Sequence, residues 1–373
     1  MVAKRFKSLL VAAFSLGIIF FSNASFAQDH PEHVAADTAV EEHAEAGHAE
    51  EKLDPAKIIM DHIKDAHEFH FFTVGDFHAT IPLPVILYSP TKGLSVFSSS
   101  KFEHGHAAYN GYTMHNGVIH ATDGSKVYDF SMTKNVVQMI IALIVLVLLM
   151  TGIAKKYKNG IGVTSAPKGW QNAVEPVITF VRDDVAKPNL GKKAIKYLPY
   201  LLTVFFFILI NNLFGLIPGA ANVTGNTAFT AVLGVISLVV ILFSTNSHFW
   251  GHIFWPPGVP LPVKFILIPI ELLGAVVIKP AALIIRLFAN MVAGHIIILS
   301  FISLIFIFGA MSKVAGWGFS PISIAFTVFI YFIELLVAFI QAFIFTNLTA
   351  VFIGQAFEGG HDDVDGHADP VIV

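Results

Sequence analysis

From Val136 onward the chain alternates long apolar runs with short polar punctuation, and none of these runs keeps the two-residue period of a half-buried strand. Val136 to Ile153 is a first run of membrane-spanning length, closed by Lys155, Lys156 and Lys158. Leu198 to Ile217 and Ala228 to Phe243 are the second and third, separated by the polar turn Gly219 to Asn226. Phe265 to Phe308 and Ile322 to Phe357 are longer, reaching roughly 66 and 54 Å as helices, about twice the thickness of a hydrocarbon core. Such segments must tilt strongly or break. Pro280 is the expected division in the first, and Lys313 to Pro321 the expected turn between the two. The pattern predicts an all-α polytopic membrane protein over 133–357, with about five membrane helices that include a long, strongly tilted C-terminal helical hairpin.

Ahead of that region the pattern changes. Lys4, Arg5 and Lys7 precede the apolar run Leu9 to Phe21, and Ser25-Phe26-Ala27 supplies the small residues of a cleavage site, so residues 1–27 read as a signal peptide. Residues 28–66 are rich in Ala, Glu and His and have little to bury, which predicts a disordered or weakly helical segment. Between His67 and Phe130 apolar and β-branched residues return. Asn116-Gly117, set between Tyr112–His115 and Val118–Ala121, is a strong hairpin signal, and Asp123-Gly124 marks a second turn before Val127 to Phe130. A small β-rich extracytoplasmic N-terminal domain is expected over 67–132, and an acidic cytoplasmic tail over 358–373.

Composition agrees with residence in lipid. The chain has 373 residues, 55% hydrophobic against 13% charged, which excludes an ordinary soluble globule. A net charge of −3 gives no ground for a nucleic-acid partner, and the absence of cysteine excludes disulfides, thiolate metal sites and a thiol nucleophile. Histidines are plentiful before Phe130, but pairs such as His30/His33, His67/His70 and His104/His106 form no recognised ligand set, so no metal and no cofactor is assigned. Basic residues set the orientation. The segment after the first run carries Lys155, Lys156, Lys158, Lys168, Arg182, Lys187, Lys192, Lys193 and Lys196 against Glu175, Asp183 and Asp184, and within it Trp170 to Val185 reads as an interfacial amphipathic helix. This places that segment inside, the N-terminus extracytoplasmic and the C-terminus cytoplasmic. Trp250, Trp255, Pro256, Pro257, Pro260 and Pro262 suit a non-helical connection in the headgroup layer.

Between Phe265 and Phe357 the ionisable side chains, tyrosine aside, are Glu271, Lys279, Arg286, His295, Lys313 and Glu334. Lys313 falls in the expected turn. Each of the others costs on the order of 2.5 to 3.5 kcal/mol at a helix centre, so each is a functional candidate. At 100° per residue Lys279, Arg286, Asn290 and Ala293 share one stripe, beside Ala282 and Ala289, whose small side chains admit a close neighbour. His295 lies about half a turn away from Arg286. On the following helix Glu334, Ala338 and Gln341 make a comparable stripe. A guanidinium stays charged at neutral pH and acts through its charge, whereas an imidazole and a buried carboxyl can exchange protons. This is chemistry for moving protons, not for breaking bonds.

Three strings carry a specific resemblance. Ile278 to Ile298, IKPAALIIRLFANMVAGHIII, resembles the signature helix of subunit a of the rotary F-type ATP synthases; Glu334 to Gln341, ELLVAFIQ, followed by AFIFTNL, resembles its partner helix; and Asn211 to Pro218, NNLFGLIP, resembles a further segment of that family. The resemblance implies a non-catalytic membrane-sector subunit of an ATP synthase, in a bacterial plasma membrane, with an essential Arg286. It also implies supporting Asn290 and Gln341 and an acid/imidazole pair at His295 and Glu334, in the reverse order to some members. Glu271, Lys279, Asn211 and Asn212 are the supporting polar candidates. The implied partners are a c-ring, the peripheral-stalk subunit b and the rest of the complex, with protons favoured over sodium as coupling ion. The rival reading is a secondary transporter or cation/proton antiporter, but such folds usually show internal repeats, and the sequence shows none.

Overall fold

The computed structural model describes residues 65–74, 77–105, 107–115, 117–160, 169–217, 219–245, 253–254 and 260–357. The expected signal peptide, nearly all of the 28–66 segment, the Trp250–Pro257 connection apart from Ile253 and Phe254, and the tail lie outside them. The chain is mostly helical with a small strand-rich N-terminal region. Among the described residues seven strands come first: β1 (Glu68–Val74), β2 (Phe77–Pro82), β3 (Pro84–Ser89), β4 (Gly93–Ser98), β5 (Tyr112–His115), β6 (Val118–Ala121) and β7 (Tyr128–Asp129). Eight helices follow among the described residues: α1 (Lys134–Lys158), α2 (Trp170–Phe180), α3 (Lys187–Leu190), α4 (Ala194–Gly215), α5 (Thr227–Ser244), α6 (Leu261–Leu273), α7 (Lys279–Met311) and α8 (Lys313–Phe357). Among the described residues five helical stretches are long and apolar enough to cross a membrane: Lys134–Lys158, Trp170–Gly215, Thr227–Ser244, Pro262–Met311 and Lys313–Ala356.

The strands form antiparallel pairs β1-β2 and β5-β6 and a three-stranded sheet in the order β4-β3-β7. The expected hairpin is β5-β6, with Met114 opposite Ile119 and Gly117 at φ 80°, a backbone region open to glycine. Alternation on β3 turns Val85 and Leu87 inward, where they meet Phe102, Tyr112 and Ile119 in a small core edged by Phe97.

Its junction with α1 is built from polar groups. The Lys134 N–H donates to the Ala66 carbonyl at 2.9 Å, and the Asp65 carboxylate accepts the N–H groups of Ala66 at 3.0 Å and Asn135 at 3.3 Å, so an acidic side chain satisfies the otherwise orphaned start of the helix. Nearby, Nε2 of the buried His67 lies 2.9 Å from Asp129 Oδ2, and the Ser131 N–H donates to Asp129 Oδ1 at 2.8 Å. Burial opposes ionisation of Asp129, yet these hydrogen bonds, with the His67 charge, hold its carboxyl below the ordinary carboxylate range.

The chain divides into two units, Met1–Ile144 with Ile210–Thr230 and Phe288–Ala338, and Val145–Leu209 with Ala231–Leu287 and Phe339–Val373. In the first, Phe301 of α7 stacks on Phe326 of α8 at 5.4 Å, and the Ser323 hydroxyl donates to the Phe301 carbonyl. In the second, Phe339 and Phe343 of α8 meet Phe180 of α2, Phe205 of α4 also meets Phe339, and Asn189 Nδ2 donates to Asn347 Oδ1 at 3.0 Å.

Two sequence expectations are corrected. The division of the Phe265–Phe308 segment is not at Pro280 but one turn earlier, where Gly274–Ile278 forms a π turn and the Lys279 N–H reaches back five residues to the Gly274 carbonyl. Proline lacks an N–H and its ring crowds the carbonyl four residues back, so widening the preceding turn lets the helix continue through it. The same device precedes Lys187-Pro188, where Val181–Ala186 is a π turn closed by the Lys187 N–H on the Arg182 carbonyl. The expected turn over Lys313 to Pro321 is instead the start of α8, and Ser312 alone separates it from α7. The tight corner depends on glycine: a Cβ on Gly316 would stand 2.7 Å from the Cα of Gly309.

Candidate functional site

α7 has 33 residues and α8 has 45, about 50 and 67 Å of helix, so neither fits an upright crossing of a 30 Å core. Along α7, Leu283, Leu287, Met291, Gly294 and Ile298 are buried, while Ala282, Arg286, Ala289, Asn290 and Ala293 are exposed. The stripe read from the sequence is therefore an open one: Arg286 stands among alanines on an uncovered face, and Asn290 stands one turn further along it.

Glu334 lies on the other side of the matter, only 6% exposed on α8. Its carboxyl group occupies the place a side chain at position 294 would fill, with an ideal Cβ on Gly294 falling 2.0 Å from Oε1 and 2.3 Å from Oε2. Only glycine at 294 admits the acid against α7. One turn beyond Glu334, the Ala338 carbonyl accepts from Asn212 Nδ2 at 3.2 Å, so the fully buried Asn212 of α4 ties α8 down next to its acid. Asn211, its neighbour, is also fully buried.

The end of α4 and the loop after it complete this part of the site. A Cβ placed on Gly215 would find as its nearest atoms the Ala221 carbonyl oxygen at 3.7 Å, His295 Nε2 at 3.8 Å and Asn222 Oδ1 at 3.9 Å. Asn222 is buried; its Oδ1 accepts the Gly225 N–H at 2.9 Å and its Nδ2 points to the Met291 carbonyl at 3.5 Å, one helical turn before His295. Gln138, on the second turn of α1, pairs both ends of its amide with Ala221, Nε2 donating to the carbonyl at 2.6 Å and Oε1 accepting the N–H at 2.7 Å.

In the second unit, Lys279 does not share the open aspect of Arg286. It is half-buried, its Nζ donates to Gln355 Oε1 at 2.8 Å, and it sits 5.0 Å from the Phe352 ring centre. Gln341 is buried on α8 and Glu271 half-buried on α6. The structure thus sets the Glu334 carboxyl against Gly294, bonds Asn212 to the Ala338 carbonyl one turn further along α8, brings His295 Nε2 near Gly215, leaves Arg286 and Asn290 exposed on α7 and gives Lys279 a partner of its own. Gln138, Gly215, Asn222, Gly294 and Gln355 were not singled out by the sequence. Gly215 and Gly294 lie within the strings that carry the resemblance and Asn222 within the Gly219–Asn226 turn, and those were the available hints. Among the described residues no three His, Asp or Glu side chains gather as metal ligands.

Comparison with known proteins places these observations. The family model described as ATP synthase A chain matches residues 136–354. A domain family of unknown function matches residues 58–139. The chain is 39% identical over 345 residues to a protein named ATP synthase subunit a 2 from Chlorobaculum tepidum, covering 90% of this chain and 83% of that one. It is 44% identical over 246 residues to ATP synthase subunit a of Chloroherpeton thalassium, covering 65% and 72%. With ATP synthase subunit a of Chlorobium phaeobacteroides (strain BS1) it shares 38% identity over 331 residues, covering 87% and 83%.

Proposed function

Because this chain belongs to the ATP synthase A chain family and is a multi-pass membrane protein, we propose that it is the stationary proton-channel subunit of a rotary ATP synthase, offering two offset half-channels to a rotating c-ring. The observation that carries the reading is the contrast along one helix: Arg286 exposed on an alanine-lined stripe, and Glu334 buried against Gly294, the residue that precedes His295 in the chain. A charge on a smooth open face suits a passing carboxylate of another subunit. A buried acid and an imidazole suit proton uptake.

In this reading protons enter from the extracytoplasmic side past His295 and Glu334 and neutralise a ring carboxylate, which then rotates through lipid. When that carboxylate meets Arg286, the guanidinium favours its ionised form, and the proton leaves on the cytoplasmic side. Asn290 and Gln341 are further polar residues of proton translocation, and Glu271, Lys279, Asn211 and Asn212 are supporting polar residues. Each charge crossing 100 mV releases about 2.3 kcal/mol, so several protons are needed per ATP. The subunit makes no ATP itself; it acts with the ring, the peripheral-stalk subunit b and the catalytic sector in a bacterial plasma membrane. Residues 1–27 are then an export signal, 67–132 an extracytoplasmic domain and 358–373 a cytoplasmic tail.

The test separates this reading from a lone antiporter. Purified in mild detergent, the tagged chain should bring with it a c-ring and a soluble ATPase, and vesicles stripped of the ATPase should conduct protons. Activity as a homo-oligomer without either partner would overturn the proposal.

A further inference from the structure

We infer that one face of the strand-rich region is seated on the bilayer at the point where α1 enters it, with phospholipid as its partner. The register of the three-stranded sheet sets this face out in rows. Tyr88 stands between Leu94 and Tyr128. Ile86 pairs with Val96, and its carbonyl accepts the Phe130 N–H at 2.8 Å. Pro84 lies opposite Ser98, and its carbonyl accepts the Met132 N–H at 3.2 Å. Residues directly opposite across antiparallel strands share a face, as do alternate residues along each strand. None of these positions is charged, and only Ser98 lacks an apolar body. Val85 and Leu87, which alternate with them, point the other way into the small core, whereas Leu94 and Val96 are 68% and 62% exposed.

A contiguous exposed apolar face marks an interaction surface, and continuity says what lies against this one. Thr133 alone separates Met132 from Lys134, the first residue of α1, whose Ile141, Ile144 and Leu148 are likewise exposed along a helix long enough to cross a membrane. The sheet is not hung on a loose tether. The Lys134 N–H reaches the Ala66 carbonyl, Asp65 accepts from Asn135, and Ser131 Oγ accepts the Ile86 N–H at 3.0 Å, so the sheet stays at the surface where α1 begins and braces the start of that helix. From Met132 the face runs four residues along the strands to Tyr128, about 13 Å. At this far end the Tyr88 and Tyr128 rings lie 6.3 Å apart, and Lys126 Nζ stands 5.3 Å from the centre of the Tyr128 ring. Amphipathic rings and a cation at the margin of an apolar surface are the groups that meet lipid headgroups and their phosphates. The inference needs only that α1 spans the membrane, and it stands apart from the proton path.

The experiment uses the whole chain in its native membrane, with the photoreactive residue p-benzoylphenylalanine placed singly at Leu94, Val96 or Phe130, all exposed positions outside the core. After irradiation, mass spectrometry of the labelled peptide reads what each probe has joined. Phospholipid adducts are expected at all three positions. His120 is the reference: its neighbour Ile119 points into the core, so His120 faces away on the other side of the region, and a probe there should join no lipid. Leu94→Asp combined with Val96→Asp sets two carboxylates on the face without touching an inward residue. The lipid adduct at Phe130 should then be lost while the chain is retained in the membrane at its normal amount. Adducts at the three positions to a second copy of this chain or to another protein, or no adduct at any of them, would overturn the seat. So would equal lipid labelling at His120, or an undiminished adduct at Phe130 in the aspartate variant.

Discussion

At the scale of single residues, the account depends on which side chains are forced into contact and which are left open. Gly294 is the sharpest case. Alanine would favour the helix, but its Cβ would land within 2.3 Å of both carboxyl oxygens of Glu334, so the acid must move. Gly294→Ala should cost about 1–3 kcal/mol of local stability and strongly reduce proton conductance. Adding Glu334→Asp, which shortens the acid by a methylene, should restore part of the flux; no recovery in that double variant would show that the acid's position is not what glycine protects. A second prediction concerns the pair. His295→Glu and Glu334→His should each impair conductance strongly, since each sets two like groups together. The double exchange should conduct better than either single variant. Losses that merely add in the double variant would show that the two residues do not share a site. Arg286, His295 and Glu334 were legible in the sequence because an ionisable group in an apolar run is costly and conspicuous. Gln138, Asn222 and Gly215 were not, because neutral polar residues and glycines near helix ends are ordinary until the element facing them is known.

At the scale of elements, legibility followed the length of the signal. The apolar runs located the membrane helices, and Asn116-Gly117 located a hairpin. Lys313 to Pro321 failed as a turn because glycine, serine and proline punctuate soluble proteins but are tolerated in membrane helices, where Gly309 and Gly316 serve close packing instead. The two Lys-Pro pairs preceded by π turns show a further limit: proline announces a disturbance in the helix but not its place. The junction of the strands with α1 yields a pH prediction. Asp129 has its carboxyl held below the ordinary range, so its hydrogen bonds with His67 and Ser131 stabilise the strands above the unfolded carboxylate value near 3.9, and this support is lost as pH falls through the lower folded value. Hydrogen exchange of β3 and β7 should therefore quicken in strong acid in the wild type, and Asp129→Asn should show that faster exchange already at neutral pH. Equal protection of the two at neutral pH would contradict the role given to the pair.

At the scale of the molecule, the family and the helical fold were readable from three short strings and five apolar stretches, and the match over 136–354 agrees with them. What the sequence could not supply was which residues meet, because contacts such as Gln138 with Ala221 or Asn212 with Ala338 join positions 83 and 126 residues apart. The central claim is that Arg286 is the open charge that keeps the two half-channels apart. ATP-driven acidification of inverted membrane vesicles, measured together with their passive proton leak, tests it most directly in Arg286→Ala and Arg286→Lys. The account predicts complexes that assemble, no pumping in either variant, and a raised leak in the alanine variant. Sustained ATP-driven pumping by Arg286→Ala would contradict it.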